Sequence, residues 1–271
     1  CEKKGFCVIN DDDMTASIYP LLRKAQVVVA ASSVFFYNVT SQLKALIDRT
    51  QALWSRKYRF RLSDPLSTSR KGFFLSMGGS RGKKLFDGIH LVATYFFDAI
   101  DADYSGSLTY PEIETAGDFQ KMPDLDIEIS KAAHVLMSSL CERKRILFVG
   151  KHDDIRIQMA GALTQYHAGN RFHVVTSGKE SGLEIHPGVV KAMAEIGIDM
   201  AFLQTRSLSN ALQDYRPDII VTLDNDIEIP AIPNITTSVW NLPDPGNASS
   251  EMIVQLRDQI RGNITRMTAD R

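Results

Sequence analysis

Short apolar runs alternate with longer stretches in which apolar residues recur every three or four positions, the signature of strands interleaved with helices. "QVVVAAS" (residues 26–32), "KGFFLSM" (71–77) and "ADYSGSLTY" (102–110) read as strands. Residues 40–54 place Leu43, Leu46, Ile47 and Trp54 on one helical face, and 84–99 do the same with Leu85, Ile89, Val92 and Phe96. A helix over 127–140 precedes the basic "CERKR", after which a second alternation begins. Its strands lie near Ile146, Val174, Ile219 and Thr237, and its helices start near Arg156, Pro187 and Ser249. The pattern predicts an α/β chain of two three-layer domains with parallel sheets, 1–143 and 144–271, divided near Arg143.

Ligands in open parallel sheets bind beyond the carboxyl ends of the strands, which directs attention to two loops in the first half. "SSVFFYNVTSQLK" combines hydroxyls (Ser32, Ser33), aromatics (Phe35, Phe36, Tyr37) and a helix entry near Asn38, a mixture suited to a flat heteroaromatic ligand with polar edges. "MGGSRG" supplies glycines that let backbone N–H groups come close to a ligand. Either feature alone is equally compatible with core packing and an ordinary turn. In the second half, "RILFVGKHDDIRIQMAGAL" reads as strand, tight loop and helix N-terminus, the frame of an anion cradle. Its loop contains neither cysteine nor serine.

Composition narrows the functional classes. The 31 basic and 32 acidic residues nearly cancel, so no general attraction to nucleic acid or anionic lipid is expected. No apolar run is long enough to span a bilayer and no signal peptide is visible, which makes the cytoplasm the expected compartment. The 3 cysteines, at 1, 7 and 141, make no disulfide framework. The chain opens on Cys1 rather than methionine, and an upstream segment is expected. "DADYSGSLTYPE" fits a calcium loop, with Asp101, Asp103, Ser105, Gly106, Ser107 and Glu112 at the ligand and turn positions, yet the same residues supply a strand required by the alternation. The strand is the preferred reading.

"CEKKGFCVINDDDM", "SSVFFYNVTSQLKALIDRT" and "SMGGSRGKKLFDG", in that order, resemble the flavodoxin-like NADPH-dependent FMN reductase family, which includes the iron–sulfur flavoproteins. The resemblance runs to about Leu140. It implies an FMN site contacted by Ser32, Ser33, Val34, Phe35, Phe36, Asn38 and Val39 in one loop and Met77, Gly78, Gly79 and Ser80 in the other. It also implies NAD(P)H as a donor, with hydride transfer carried by the flavin rather than by a catalytic side chain. Ser33, Phe35 and Tyr37 depart from the residues usual in that family, and its phosphate-binding loop would lie before Cys1. Cys1 and Cys7 could be the last two ligands of a [4Fe–4S] cluster only if further cysteines precede them.

From Lys144 to about Thr268, "RILFVG…RIQMA", "VVTSGKESGLEIHPGVVKAMAEIGIDM", "TRSL", "PDIIVTL" and "VWNLPDPGNASSE" resemble the low-molecular-weight tyrosine phosphatase and arsenate reductase family. There a cysteine ends the first strand and an arginine follows six positions later; here Gly150 and Arg156 hold those positions. Asp153 and Asp154 would repel an incoming oxyanion and compete for the cradle's N–H groups. Asp244 matches the family's general acid, but an acid without an attacking group has no leaving group to serve, and a turn role before Pro245 is preferred. His186, before Pro187, reads as a helix cap, and His152 as a loop histidine.

The combined expectation is an FMN-dependent NAD(P)H oxidoreductase, with a small-molecule or protein electron acceptor, fused to a degenerate phosphatase-like domain. Neither nucleic acid nor membrane is an expected partner, no metal site is assigned, and a homo-oligomer is expected. The alternatives are a non-catalytic redox-sensing or regulatory protein and, more weakly, an arsenate reductase or phosphatase.

Overall fold

In the computed structural model the chain divides into two compact units, Cys1–Arg61 with Ser69–Cys141, and Leu62–Thr68 with Glu142–Arg271. The structure describes residues 1, 3–152, 155–180, 184–224, 227, 229, 233, 235–246 and 249–269. Asp153 and Asp154 lie outside the described residues. The sequence pattern suggests one cut near Arg143, whereas the short segment 62–68 also falls in the second compact unit. Among the described residues no helix is long and apolar enough to cross a membrane.

The first unit runs through α1 (Tyr19–Lys24), β1 (Val27–Ser33), α2 (Ser41–Arg49), α3 (Gln51–Tyr58), β2 (Lys71–Gly78), α4 (Asp87–Ala99), β3 (Asp103–Pro111), α5 (Ala116–Phe119) and α6 (Leu125–Cys141). Its three strands form a parallel sheet in the order β1-β2-β3. Phe74, Ile89, Ala93 and Phe97 are fully buried between sheet and helices. Gly72 is fixed by this packing, since a Cβ there would stand 2.3 Å from the Phe97 ring.

Two helix boundaries differ from the periodic pattern. The helix expected over 40–54 breaks at Thr50, whose hydroxyl donates to the Ile47 carbonyl at 2.6 Å and competes with the helical ladder. The helix expected from Lys84 begins at Asp87, because Lys84 takes a left-handed conformation (φ 62°) that no helix continues through. The segment resembling a calcium loop is strand β3, with Leu108 opposite Leu75 and Tyr110 opposite Met77. Its Asp103 pairs with Lys71 Nζ at 2.8 Å.

A buried arginine fastens the amino ends of these strands. Arg70, just before β2, is 1% exposed; its Nε donates to Ala25 O (2.9 Å), and its terminal nitrogens donate to Ile100 O (2.5 Å) and Arg23 O (3.1 Å). Ala25 and Ile100 lie shortly before β1 and β3, so one guanidinium sets all three strand starts at the same level.

The second unit comprises β4 (Lys144–His152), α7 (Arg156–Ala168), β5 (Phe172–Glu180), α8 (Pro187–Ala194), α9 (Leu208–Asp214), β6 (Ile219–Thr222), β7 (Thr236–Val239) and α10 (Ser250–Ala269). Its parallel sheet has the order β5-β4-β6-β7. Ile146 and Phe148 pack with α7, α8 and α10, while Leu147 and Val149 pack with Ala211 of α9 and Tyr215. A strand covered on both faces must be apolar at successive positions, which explains the unbroken run in β4. Segment 62–68 belongs to this unit through Ser63, whose N–H donates to Gly197 O and whose carbonyl accepts from Asp199 N, both at 2.8 Å.

Two outcomes test this packing. Arg70→Leu should lower stability by about 3 kcal/mol, because three bonded carbonyls lose a charged donor, as read from urea unfolding followed through Trp54 in a Trp240→Phe background. His173 is held near pKa 4, chiefly by burial and then by Arg143 and Arg145. Its folded pKa lies below the ordinary histidine value, so the neutral form's stabilisation is complete above about pH 6.5 and is lost as pH falls toward 4. His173→Gln should flatten the pH dependence of the melting temperature in that window.

Candidate functional site

The loops after β1 and β2 meet at the carboxyl edge of the first sheet. Ser33 pairs with Met77 in the last rung, and Val34 N donates to Met77 O at 2.8 Å just beyond it. The chain then turns sharply: Phe35 and Asn38 exchange backbone hydrogen bonds at 2.8 and 2.9 Å, while Phe36 (φ 48°) and Tyr37 (φ 61°) are both left-handed, the pattern of a type I′ turn. Nothing in the sequence marks that turn, since aromatics occupy positions that favour Asn and Gly. Phe36 is 100% exposed and Phe35 58%, so this costly conformation presents aromatic rings to solvent.

Each implied contact residue has a defined place. Ser32 is buried, and its hydroxyl accepts from Thr40 N (3.0 Å) and donates to Ser33 O (2.9 Å), so it fastens the loop base. Ser76 donates to Ser32 O at 2.8 Å from the neighbouring strand. Val39 is buried, Val34 packs against Gly78, and Asn38 Oδ1 accepts from Val39 N at 2.8 Å. Gly88 lets the start of α4 approach, since a Cβ there would stand 2.1 Å from Tyr37 O. Ser33 and Met77 are half-buried, whereas Phe35, Phe36, Asn38, Gly79 and Ser80 line the open edge.

A third loop, not identified from sequence, completes the edge. Ile113 N donates to Gly78 O at 3.1 Å, Glu114 lies against Gly79, and Arg81 pairs with Glu112, which has φ 60°. The apparent calcium-ligand pattern covers this segment and draws attention from its position at a strand end. The edge carries exposed aromatic rings on the first loop and, on the second, Gly79 and Ser80, which make no backbone hydrogen bond among the described residues. Cys1 and Cys7 are half-buried, and Cys7 lies beside the Arg49 guanidinium. Among the described residues no group of three or more His, Cys, Asp or Glu side chains is arranged to hold a metal ion.

The second unit has its own carboxyl-edge site at the end of β4, where the connections depart to opposite sides of the sheet. Gly150 ends the buried run and Arg156 opens α7. Arg156 is 7% exposed; it donates to Leu223 O at 3.0 Å and forms an ion pair with Asp224. The other Asp224 oxygen accepts from Lys151 N at 2.8 Å. A Cβ at Gly150 would stand 2.6 Å from Ile157 Cδ1 and 3.0 Å from Asp224 Oδ2. Asp224 was not identified from sequence; its position at the end of β6, beside β4, was the available signal. Asp244 is exposed and accepts from Gly246 N at 3.1 Å, forming a local turn, and His186 caps α8 by accepting from Gly188 N at 3.1 Å.

The two halves of the chain have different relatives. Residues 1–94 match the NADPH-dependent FMN reductase family. An iron–sulfur flavoprotein of Methanosarcina thermophila is 40% identical over 93 residues, which are 33% of this chain and 44% of that protein. The chain therefore spans less than half of that relative. Arsenate reductase 1 of Staphylococcus epidermidis is 30% identical over 126 residues, 45% of this chain and 94% of that enzyme. Through its second half the chain belongs to the arsenate reductase family. A solved arsenate reductase in the phosphate binding state is 25% identical and covers 46% of this chain and 97% of its own, with a TM-score of 0.41. The chain thus joins a segment matching the FMN reductase family to an arsenate reductase-type domain.

The turn in the first domain gives a direct test. Replacing Phe36-Tyr37 by Asn-Gly should stabilise the protein by about 1–2 kcal/mol, because both positions are left-handed. Urea midpoints measure the gain.

Proposed function

We propose that the protein is an FMN-dependent oxidoreductase that accepts electrons from NAD(P)H and passes them to a small-molecule or protein acceptor. The observation that supports this reading is the joining of the loops after β1 and β2 into one edge, with Val34 N bonded to Met77 O and aromatic rings exposed beside it. The FMN reductase family match over residues 1–94 points the same way. When bound, the flavin supplies the electron and hydride chemistry through its own ring. The chain's residues orient that ring. Phe35 and Phe36 offer faces and edges for contact, Gly79 and Ser80 offer N–H donors to polar ring atoms, and the Ser32–Thr40 hydrogen bond holds the first loop in place.

The second domain, in this reading, performs no phosphoryl or arsenate chemistry. Its family relatives are arsenate reductases, yet the strand-end position holds Gly150, and Ile157 and Asp224 crowd the space where a side chain would begin. No nucleophile can be built there without moving both.

Titration with FMN, followed by flavin fluorescence, should show saturable binding. Phe35→Ala combined with Phe36→Ala should weaken it by about tenfold. Under anaerobic conditions NAD(P)H should bleach the bound yellow chromophore, and air should restore it. Binding without bleaching by either nucleotide would instead favour a regulatory flavin protein, and no binding at all would remove the reading.

A further inference from the structure

Arg156 is buried at the start of α7, where a guanidinium and backbone N–H groups would ordinarily receive an anion from solution. Here both kinds of donor already share one carboxylate. Asp224, at the end of β6, accepts from Lys151 N at 2.8 Å through one oxygen and pairs with Arg156 through the other. The second terminal nitrogen of Arg156 is committed to Leu223 O at 3.0 Å and Leu242 O at 3.4 Å, so the guanidinium is held in place from both sides. Gly150 is part of the same arrangement, because a Cβ there would approach Asp224 Oδ2 to 3.0 Å.

We infer that Asp224 is the resident anion of this cradle and the residue that closes it to tetrahedral oxyanions, so that inorganic phosphate gains a site at Arg156 only when that carboxylate is removed. An external phosphate must displace a tethered group whose effective concentration far exceeds that of a dilute ligand, and it is repelled by the same negative charge. The inference rests on the reading that the second domain is non-catalytic, and it adds which residue excludes the ligand.

The test uses the whole chain with inorganic phosphate as probe and sodium chloride at matched ionic strength as control, read by thermal unfolding and calorimetric titration. The unsubstituted chain should show no phosphate-specific shift. Asp224→Ala should melt at lower temperature, regain part of the loss with phosphate but not with chloride, and bind phosphate at least about tenfold more tightly than the unsubstituted chain. Asp224→Asn, which keeps the shape and removes the charge, should change in the same direction and decides the matter if the alanine variant does not fold. Phosphate binding by the unsubstituted chain as tight as by the variants, or no gain in a folded variant, overturns the inference. Hydrolysis of an aryl phosphate by the unsubstituted chain overturns the non-catalytic reading instead, so the two failures are distinct.

Discussion

The pairing of β1 with β2 runs without a shift from Val27 opposite Lys71 to Ser33 opposite Met77, and the candidate flavin edge depends on it. In a parallel pair both strands point the same way, so strands that start level also finish level, and their following loops emerge side by side. Arg70 sets the starts from the opposite edge of the sheet by binding the carbonyls of Ala25 and Ile100. The bond from Val34 to Met77 extends the pairing into the loops, and the Phe35–Asn38 turn then brings the first loop back toward α4. A one-residue slip would reverse the faces of Ser32 and Ser76, whose hydroxyls hold the loop base.

The same architectural rule has a different outcome in the second domain. β4 occupies the switch point of its sheet and delivers a loop and a helix start to the carboxyl edge, but the volume there is filled from within. Gly150 removes a side chain, Ile157 occupies the adjoining space, and Asp224 takes the Lys151 N–H and the Arg156 guanidinium. A buried arginine left without its carboxylate would carry a large desolvation penalty, which gives the ion pair a structural role. One chain therefore presents an open strand-end edge in one domain and a self-satisfied one in the other.

Much of this was legible in the residues. The apolar run 146–149 of β4 marks a buried parallel strand because no polar position interrupts it, and the strand, loop and helix start around Arg156 were readable from the pattern, while the pairing of Gly150 with Arg156 came from the family resemblance. What remained hidden depends on three-dimensional partners. The break at Thr50 comes from a hydroxyl bonding back to its own helix, and the late start of α4 from the left-handed Lys84. Phe36 and Tyr37 adopt a turn conformation that their side chains disfavour, so no propensity could reveal it. Asp224 reaches the cradle from a strand more than sixty residues farther along the chain, and segment 62–68 joins the second unit through backbone bonds at Ser63. Neither long-range contact leaves a periodic trace in the sequence.

The most direct measurement of the central claim is the change in backbone amide NMR signals of the whole chain as FMN is added. The account predicts that perturbations concentrate at Phe35, Phe36, Asn38, Gly79 and Ser80 together, with the Lys151 amide of the second domain unmoved. Perturbation confined to one of the two loops, or centred away from both, would contradict it.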